Sequence, residues 1–271
     1  MRRHLPSAIV LALTTVAIIW MTMTDTGGQA AGPALPRTAD GKPDINGIWQ
    51  ANSEAHWNLE PHVAQPGPPS FGAMFSVPGG LGVVEGGTIP YRPEALARKK
   101  TNFEKRWTDD PEIKCYFPGV PRATYMPYPF QVVQTPKHLL FAYEFASASR
   151  VVPIGPKTDP PVQSWMGWST GRWEGDTLIV DVTGFDERTW FDRAGNFHSD
   201  ALQVVERYTM LTRDALQYEA TIEDPQVFTR PWKISLPLYR RLEPNAQLVE
   251  FKCVTFAEEV VYGHLRKHPR R

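Results

Sequence analysis

Between Thr189 and Tyr208 the sequence reads TWFDRAGNFHSDALQVVERY, placing an aspartate, a histidine, a second aspartate and an adjacent Glu-Arg pair around one glycine. A histidine beside a carboxylate is the minimum equipment for general acid–base chemistry, because the carboxylate fixes the tautomer and raises the imidazole pKa. His198 and Asp192 are therefore candidate catalytic residues for proton transfer on a bound substrate, with Asp200 close by. The competing reading is a polar surface loop whose Asp and His side chains cap turns around Gly195. Both stay open from the sequence.

The Glu-Arg pair raises a separate question. Adjacent residues on a strand face opposite sides, so one of Glu206 and Arg207 points inward and needs a partner. With Arg213-Asp214 as a two-residue turn, strict pairing sets Arg207 against Ala220 and leaves Glu206, Tyr208 and Glu219 on the other face. Either Arg207 is inside, paired with a carboxylate such as Glu144 or Asp181, or Glu206, Tyr208 and Glu219 line a polar cavity. These four residues, with Trp190 and Trp168 from a chain that carries nine tryptophans, are the candidate ligand-binding set. Core packing is the alternative account of the tryptophans.

Gly167-Trp168-Ser169-Thr170-Gly171 matches G-x-S-x-G, and Ser169, Asp192 and His198 follow the chain order of the hydrolases that use it. That motif requires a strand-to-helix turn, whereas RWEGDTLIVDV after it reads as a hairpin, so a glycine-flanked strand entry is the better account. Apart from His264 and His268 in the basic tail, the seven histidines are scattered without His-x-His or His-x-x-x-His spacing, so no metal site is expected. Neither a dinucleotide fingerprint nor a P-loop is present, and no cofactor is expected.

The elements that must position these residues are mainly β. From residue 129 to about 258, FQVVQ/HLLFAYEF, STGRW/DTLIVDVTGF, LQVVERYTML/LQYEATIED and WKISLPLYRR/QLVEFKCVTF form four runs of paired alternating segments about tight polar turns. Four hairpins make an antiparallel meander of roughly eight strands or more, which loses its edges by closing into a lipocalin-like barrel or strongly curved sheet. Residues 31–128 form a Pro/Gly-rich N-terminal arm that covers one mouth or edge, with one short helix at about 93–107 where Pro93 opens a run of helix formers. The basic tail, 259–271, reads as a solvated end.

Residues 1–30 have a basic head, the apolar run AIVLALTTVAIIWM and a small-residue stretch ending GGQAA, the pattern of a secretory signal peptide. The expected location is periplasmic or secreted, with no membrane span after processing. Two cysteines in an oxidising compartment suggest a Cys115–Cys253 disulfide; two buried thiols are the alternative. Lys plus Arg and Asp plus Glu balance at 29 each, which gives no field for nucleic acid.

RTADGKPDINGIWQ, DPEIKCYFPGVPRATYMPYPFQVVQTP, STGRWEGDTLIVDVTGF and VVERYTMLTRDALQYEATIEDPQVFTRPW resemble a family of exported bacterial hypothetical proteins. The resemblance covers nearly all of the chain after the leader. No activity is attached to that family, so it implies no site residues.

Two functions follow from these readings. One is an extracytoplasmic binding protein whose barrel holds a small, largely apolar or aromatic molecule. The alternative is a cofactor-independent hydrolase, isomerase or lyase that uses His198 and Asp192 in the same cavity. An envelope structural protein with a filled core is a third.

Overall fold

The computed structural model describes residues 34–69, 73, 75–251 and 263–265. The expected leader, Cys253 and most of the basic tail lie outside the described residues, so the Cys115–Cys253 bridge does too. Among the described residues no helix is long and apolar enough to cross a membrane.

The described chain is mainly β. Its strands are β1 (Gly47–Ala51), β2 (Phe130–Gln134), β3 (His138–Tyr143), β4 (Ser149–Pro153), β5 (Trp168–Glu174), β6 (Thr177–Thr183), β7 (Gln203–Thr212), β8 (Ala215–Glu223) and β9 (Trp232–Arg240). They form one nine-stranded sheet in the order β4-β3-β2-β1-β9-β8-β7-β6-β5, curled into a nearly closed barrel. Every neighbouring pair is antiparallel.

Three of the four expected hairpins are present: β2/β3, β5/β6 and β7/β8. The fourth is replaced. β9 forms as expected, but on its free side it pairs with β1, a strand from the Pro/Gly-rich arm, and residues 247–251 are not strand. The rest of QLVEFKCVTF lies outside the described residues. β1 escapes sequence reading because it is five residues long and its burial does not alternate cleanly. β4 is likewise a short addition at one edge.

The strand count has a geometric consequence. Directions alternate along an antiparallel sheet, so with nine strands the two edges, β4 and β5, run the same way. Closure must then be parallel, which demands a different hydrogen-bond pattern from the rest of the ladder. The seam carries a single parallel bridge, Ile154 to Gly171, with the Gly155 N–H donating to the Gly171 carbonyl at 3.0 Å. Residues 154–167 arch from one edge to the other.

The expected helix is α1 (Pro93–Glu104), opened by its proline and burying only Ala95. The single-turn α2 (Arg106–Asp109) takes up the last two positions of the expected helix after a break at Lys105, and the wholly buried single-turn α3 (Arg122–Tyr125) is an addition. The arm is tied to the barrel by bridges from Val84 to Ile234 and from Tyr91 to Phe228. Inside the barrel Trp49, Phe130, Phe141, Tyr208 and Tyr218 are fully buried and fill the lumen with rings. Contacts such as Tyr208–Tyr218, with centroids 5.0 Å apart, and Phe141–Tyr208, at 5.5 Å, belong to a packed core.

Candidate ligand-binding site

The inward residue of the Glu-Arg pair is Glu206, and a β-bulge decides it. Thr212 pairs with Ala215 across the two-residue turn, but the register shifts between Met210 and Thr212, so Leu211 is surplus and Met210 faces Leu216. From there Tyr208 opposes Tyr218, Arg207 opposes Glu219 and Glu206 opposes Ala220. The strict pairing expected above is thus displaced by one residue. Arg207 and Glu219, expected beside the ligand, lie together on the outer face, 3.7 Å apart, with Lys233 beyond. Asp181 pairs with Arg172 there, and Glu144 accepts a hydrogen bond from the Val249 N–H, so neither serves Arg207.

Glu206 has no exposed surface, and its partner is Arg150 on β4, whose Nη1 donates to Oε2 at 2.6 Å. The other carboxylate oxygen accepts from the Tyr208 and Tyr218 hydroxyls at 2.9 and 2.8 Å. Arg150 also donates from Nε to the Tyr143 hydroxyl, from Nη2 to the Tyr208 hydroxyl and from Nη1 to Ser169 Oγ at 3.3 Å. Its guanidinium lies 4.7 Å from the Phe141 ring centre. Burial alone would lower the Arg150 pKa, and the adjacent Glu206 carboxylate more than reverses this. Burial pushes both tyrosine hydroxyls well above their usual range, with Glu206 adding to the effect, so they stay protonated and donate.

Arg150 and Ser169 sit on the two edge strands and also form part of the lining of a slot of about 620 Å³ at the seam. The walls come from Phe117, Val151, Val162, Trp165, Met166 and Trp168. Four of these, Phe117, Val151, Val162 and Trp168, are among the exposed large hydrophobic side chains, Val162 at 70%. The arch that builds one wall is anchored to the barrel: Ser164 exchanges backbone hydrogen bonds with Gly184 and Asp186, and Trp168 Nε1 donates to Thr158 Oγ1. Trp165 is held between Tyr116, with centroids 5.3 Å apart, and the Arg188 guanidinium, 4.6 Å away. Apolar walls above a few fixed polar groups are the usual composition of a small-molecule site.

Trp168 is the one member of the expected set that lines the slot. Glu206 and Tyr208 lie behind its floor, joined to it through Arg150, and Trp190 is buried in the core cluster. Sequence reading missed Arg150 because β4 was not recognised. The signal was present, since SRVVP places Arg150 and Val152 on one face, and a buried Glu206 calls for a cation.

His198 and Asp192 lie elsewhere, buried in the loop between β6 and β7, and the structure does not pair them. Asp192 accepts from the backbone N–H groups of Leu59, Ala194 and Asn196 and from the Asn196 side chain at 2.6 Å. Burial raises its pKa to about 6 despite these bonds. His198 Nδ1 lies 2.7 Å from the Ser199 carbonyl and therefore carries the proton, while Nε2 accepts from the Thr189 hydroxyl at 2.6 Å. Burial lowers its pKa to about 4. Both ring nitrogens are engaged within the fold, and the side chain packs against Phe185 and Phe191. Ser169 likewise has an arginine, not a base, as its hydrogen-bonding neighbour.

A second buried charge cluster joins the arm to this loop. Arg122 donates twice to Asp110, at 2.7 and 2.8 Å, and once to Glu112, which also receives Arg193 Nε at 2.8 Å. Burial opposes the Glu112 charge, and Arg193 and Arg122 more than reverse it, holding the pKa at about 2. Burial drives the neighbouring His56 down to about 3, with Arg193 adding to the shift. Among the described residues no three His, Cys, Asp or Glu side chains are grouped as metal ligands. Comparison with known proteins finds no matching family model, no similar curated protein and no matching solved structure.

Proposed function

We propose that this protein binds a small, largely apolar or aromatic molecule outside the cytoplasm, in the seam slot rather than in the barrel lumen. The observation that carries the reading is the slot itself: exposed Val151, Val162, Phe117 and Trp168 converge on a buried polar floor of Arg150 and Ser169. Exposed apolar side chains gathered around one concavity mark interaction sites, whereas scattered ones do not. The leader-like residues 1–30 support the extracytoplasmic placement. An acid–base enzyme is supported less well, because His198 and Asp192 are each engaged by other partners and neither lines the slot.

The test is native mass spectrometry of the protein purified from the cells that make it, alongside Val162→Arg, which places a long charged side chain at an exposed wall position. A small-molecule adduct lost on denaturation and absent from the variant is the expected result. An adduct equally abundant in Val162→Arg would overturn the assignment to this slot.

A further inference from the structure

We infer that the slot selects a ligand carrying one neutral hydrogen-bond acceptor, such as a ketone, aldehyde, ester or ether oxygen, at the end that reaches the floor. This rests on the slot being the binding site and adds what it accepts.

A guanidinium carries five N–H groups and accepts nothing. Arg150 commits one on Nε to Tyr143, two on Nη1 to Ser169 and Glu206, and one on Nη2 to Tyr208. One Nη2 hydrogen has no partner among the described residues. Ser169 Oγ accepts from Arg150, which leaves its own hydrogen to donate, and both residues line the slot. The floor therefore presents donors and calls for an acceptor.

Charge then restricts the acceptor. The Arg150 cation is already balanced by Glu206 at 2.6 Å in a site where both side chains are almost wholly buried. A ligand carboxylate would bring a second negative charge beside that neutral pair and lose its hydration, which burial does not return. A ligand ammonium would find no carboxylate to balance it, because Glu206 is shielded and already takes bonds from Arg150, Tyr208 and Tyr218. No carboxylate appears among the residues that line the slot.

The experiment is calorimetric binding of three probes of matched shape, 2-acetylnaphthalene, 2-ethylnaphthalene and 2-naphthoate, to the wild type, Ser169→Ala and Val162→Arg. The ketone should bind the wild type about tenfold more tightly than either of the others, the factor one net hydrogen bond supplies. Ser169→Ala should reduce that advantage to roughly twofold while leaving the 2-ethylnaphthalene affinity unchanged, which also reports that the slot is intact. Equal affinity for ketone and hydrocarbon, or tightest binding of the carboxylate, with all binding lost in Val162→Arg, would overturn the acceptor inference and leave the slot standing. Failure of every probe to bind, or binding untouched by Val162→Arg, would bring down the slot reading and this inference together.

Discussion

Removing Arg150 would strand Glu206, a carboxylate with no exposed surface. The Coulombic partner disappears while the desolvation penalty stays, so Arg150→Met should cost about 3–5 kcal/mol in urea unfolding. The double variant Arg150→Met/Glu206→Gln should recover much of that loss, because a neutral amide oxygen still accepts from Tyr208 and Tyr218. A loss below about 1 kcal/mol in the single variant would contradict the ion pair's burial. Three buried groups also give the protein a pH profile. His198 and His56, lowered to about 4 and about 3, bind fewer protons folded than unfolded, so their contribution is complete above about 6.5 and falls as the pH drops. Asp192, raised to about 6, runs the other way: the fold holds its proton more strongly, so it favours folding as the pH drops from about 6 toward 4. Two groups oppose one of similar size, and the melting temperature should fall between pH 6.5 and 4. His198→Gln should flatten that fall; an unchanged slope in the variant would refute the assignment. At this scale the sequence showed that one of Glu206 and Arg207 is buried, but the choice between them rests on a bulge that has no signature in the residue types around Leu211.

The β7/β8 hairpin shows why. Neither Arg213 nor Asp214 has a positive φ, so the turn is not the type I′ form whose twist suits a two-residue hairpin. A bulge adds right-handed twist, and Leu211 supplies it next to the turn. Deleting Leu211 while replacing Arg213-Asp214 with Asn-Gly should therefore give a regular hairpin with every pair from Met210 to Gln203 unchanged. The expected melting temperature is within about 3 °C of the wild type, a shift of roughly 1 kcal/mol at this chain length. Loss of the folded state would show that Leu211 has a further role. Three hairpins were legible because long alternating runs flank polar turns, as in LQVVERYTML and LQYEATIED. β1 and β4, at five residues each, are too short for periodicity to separate them from loop.

Across the whole molecule the barrel could be foreseen and its weak joint could not. An even-numbered meander closes antiparallel, and the four expected hairpins left the strand number open at eight or more; adding β1 and β4 while the last expected strand is replaced makes the count odd. The joint is close-packed at Gly171, where an added Cβ would come within 2.8 Å of both Ile154 Cδ1 and Val152 Cγ1. Gly171→Val should wedge β4 from β5, which would speed hydrogen exchange at the Gly155 amide and weaken any ligand held in the slot. Exchange at Gly155 as slow as in the wild type would mean that the seam tolerates the wedge. Elsewhere in the sheet, exchange should remain unchanged, because the antiparallel ladders do not pass through this contact.

A slot that arises from parity separates what the fold requires from what the proposed guest would require. Val151, Val162, Phe117 and Trp168 flank a gap that strand direction creates, and the antiparallel ladders close without help from their outward side chains. If the slot binds as proposed, substitution at those positions would alter which molecule is accepted while the scaffold stays as it is. Adding one strand would have the opposite effect: the two edges would run antiparallel and could pair as a regular ladder, which would remove the gap that makes the slot.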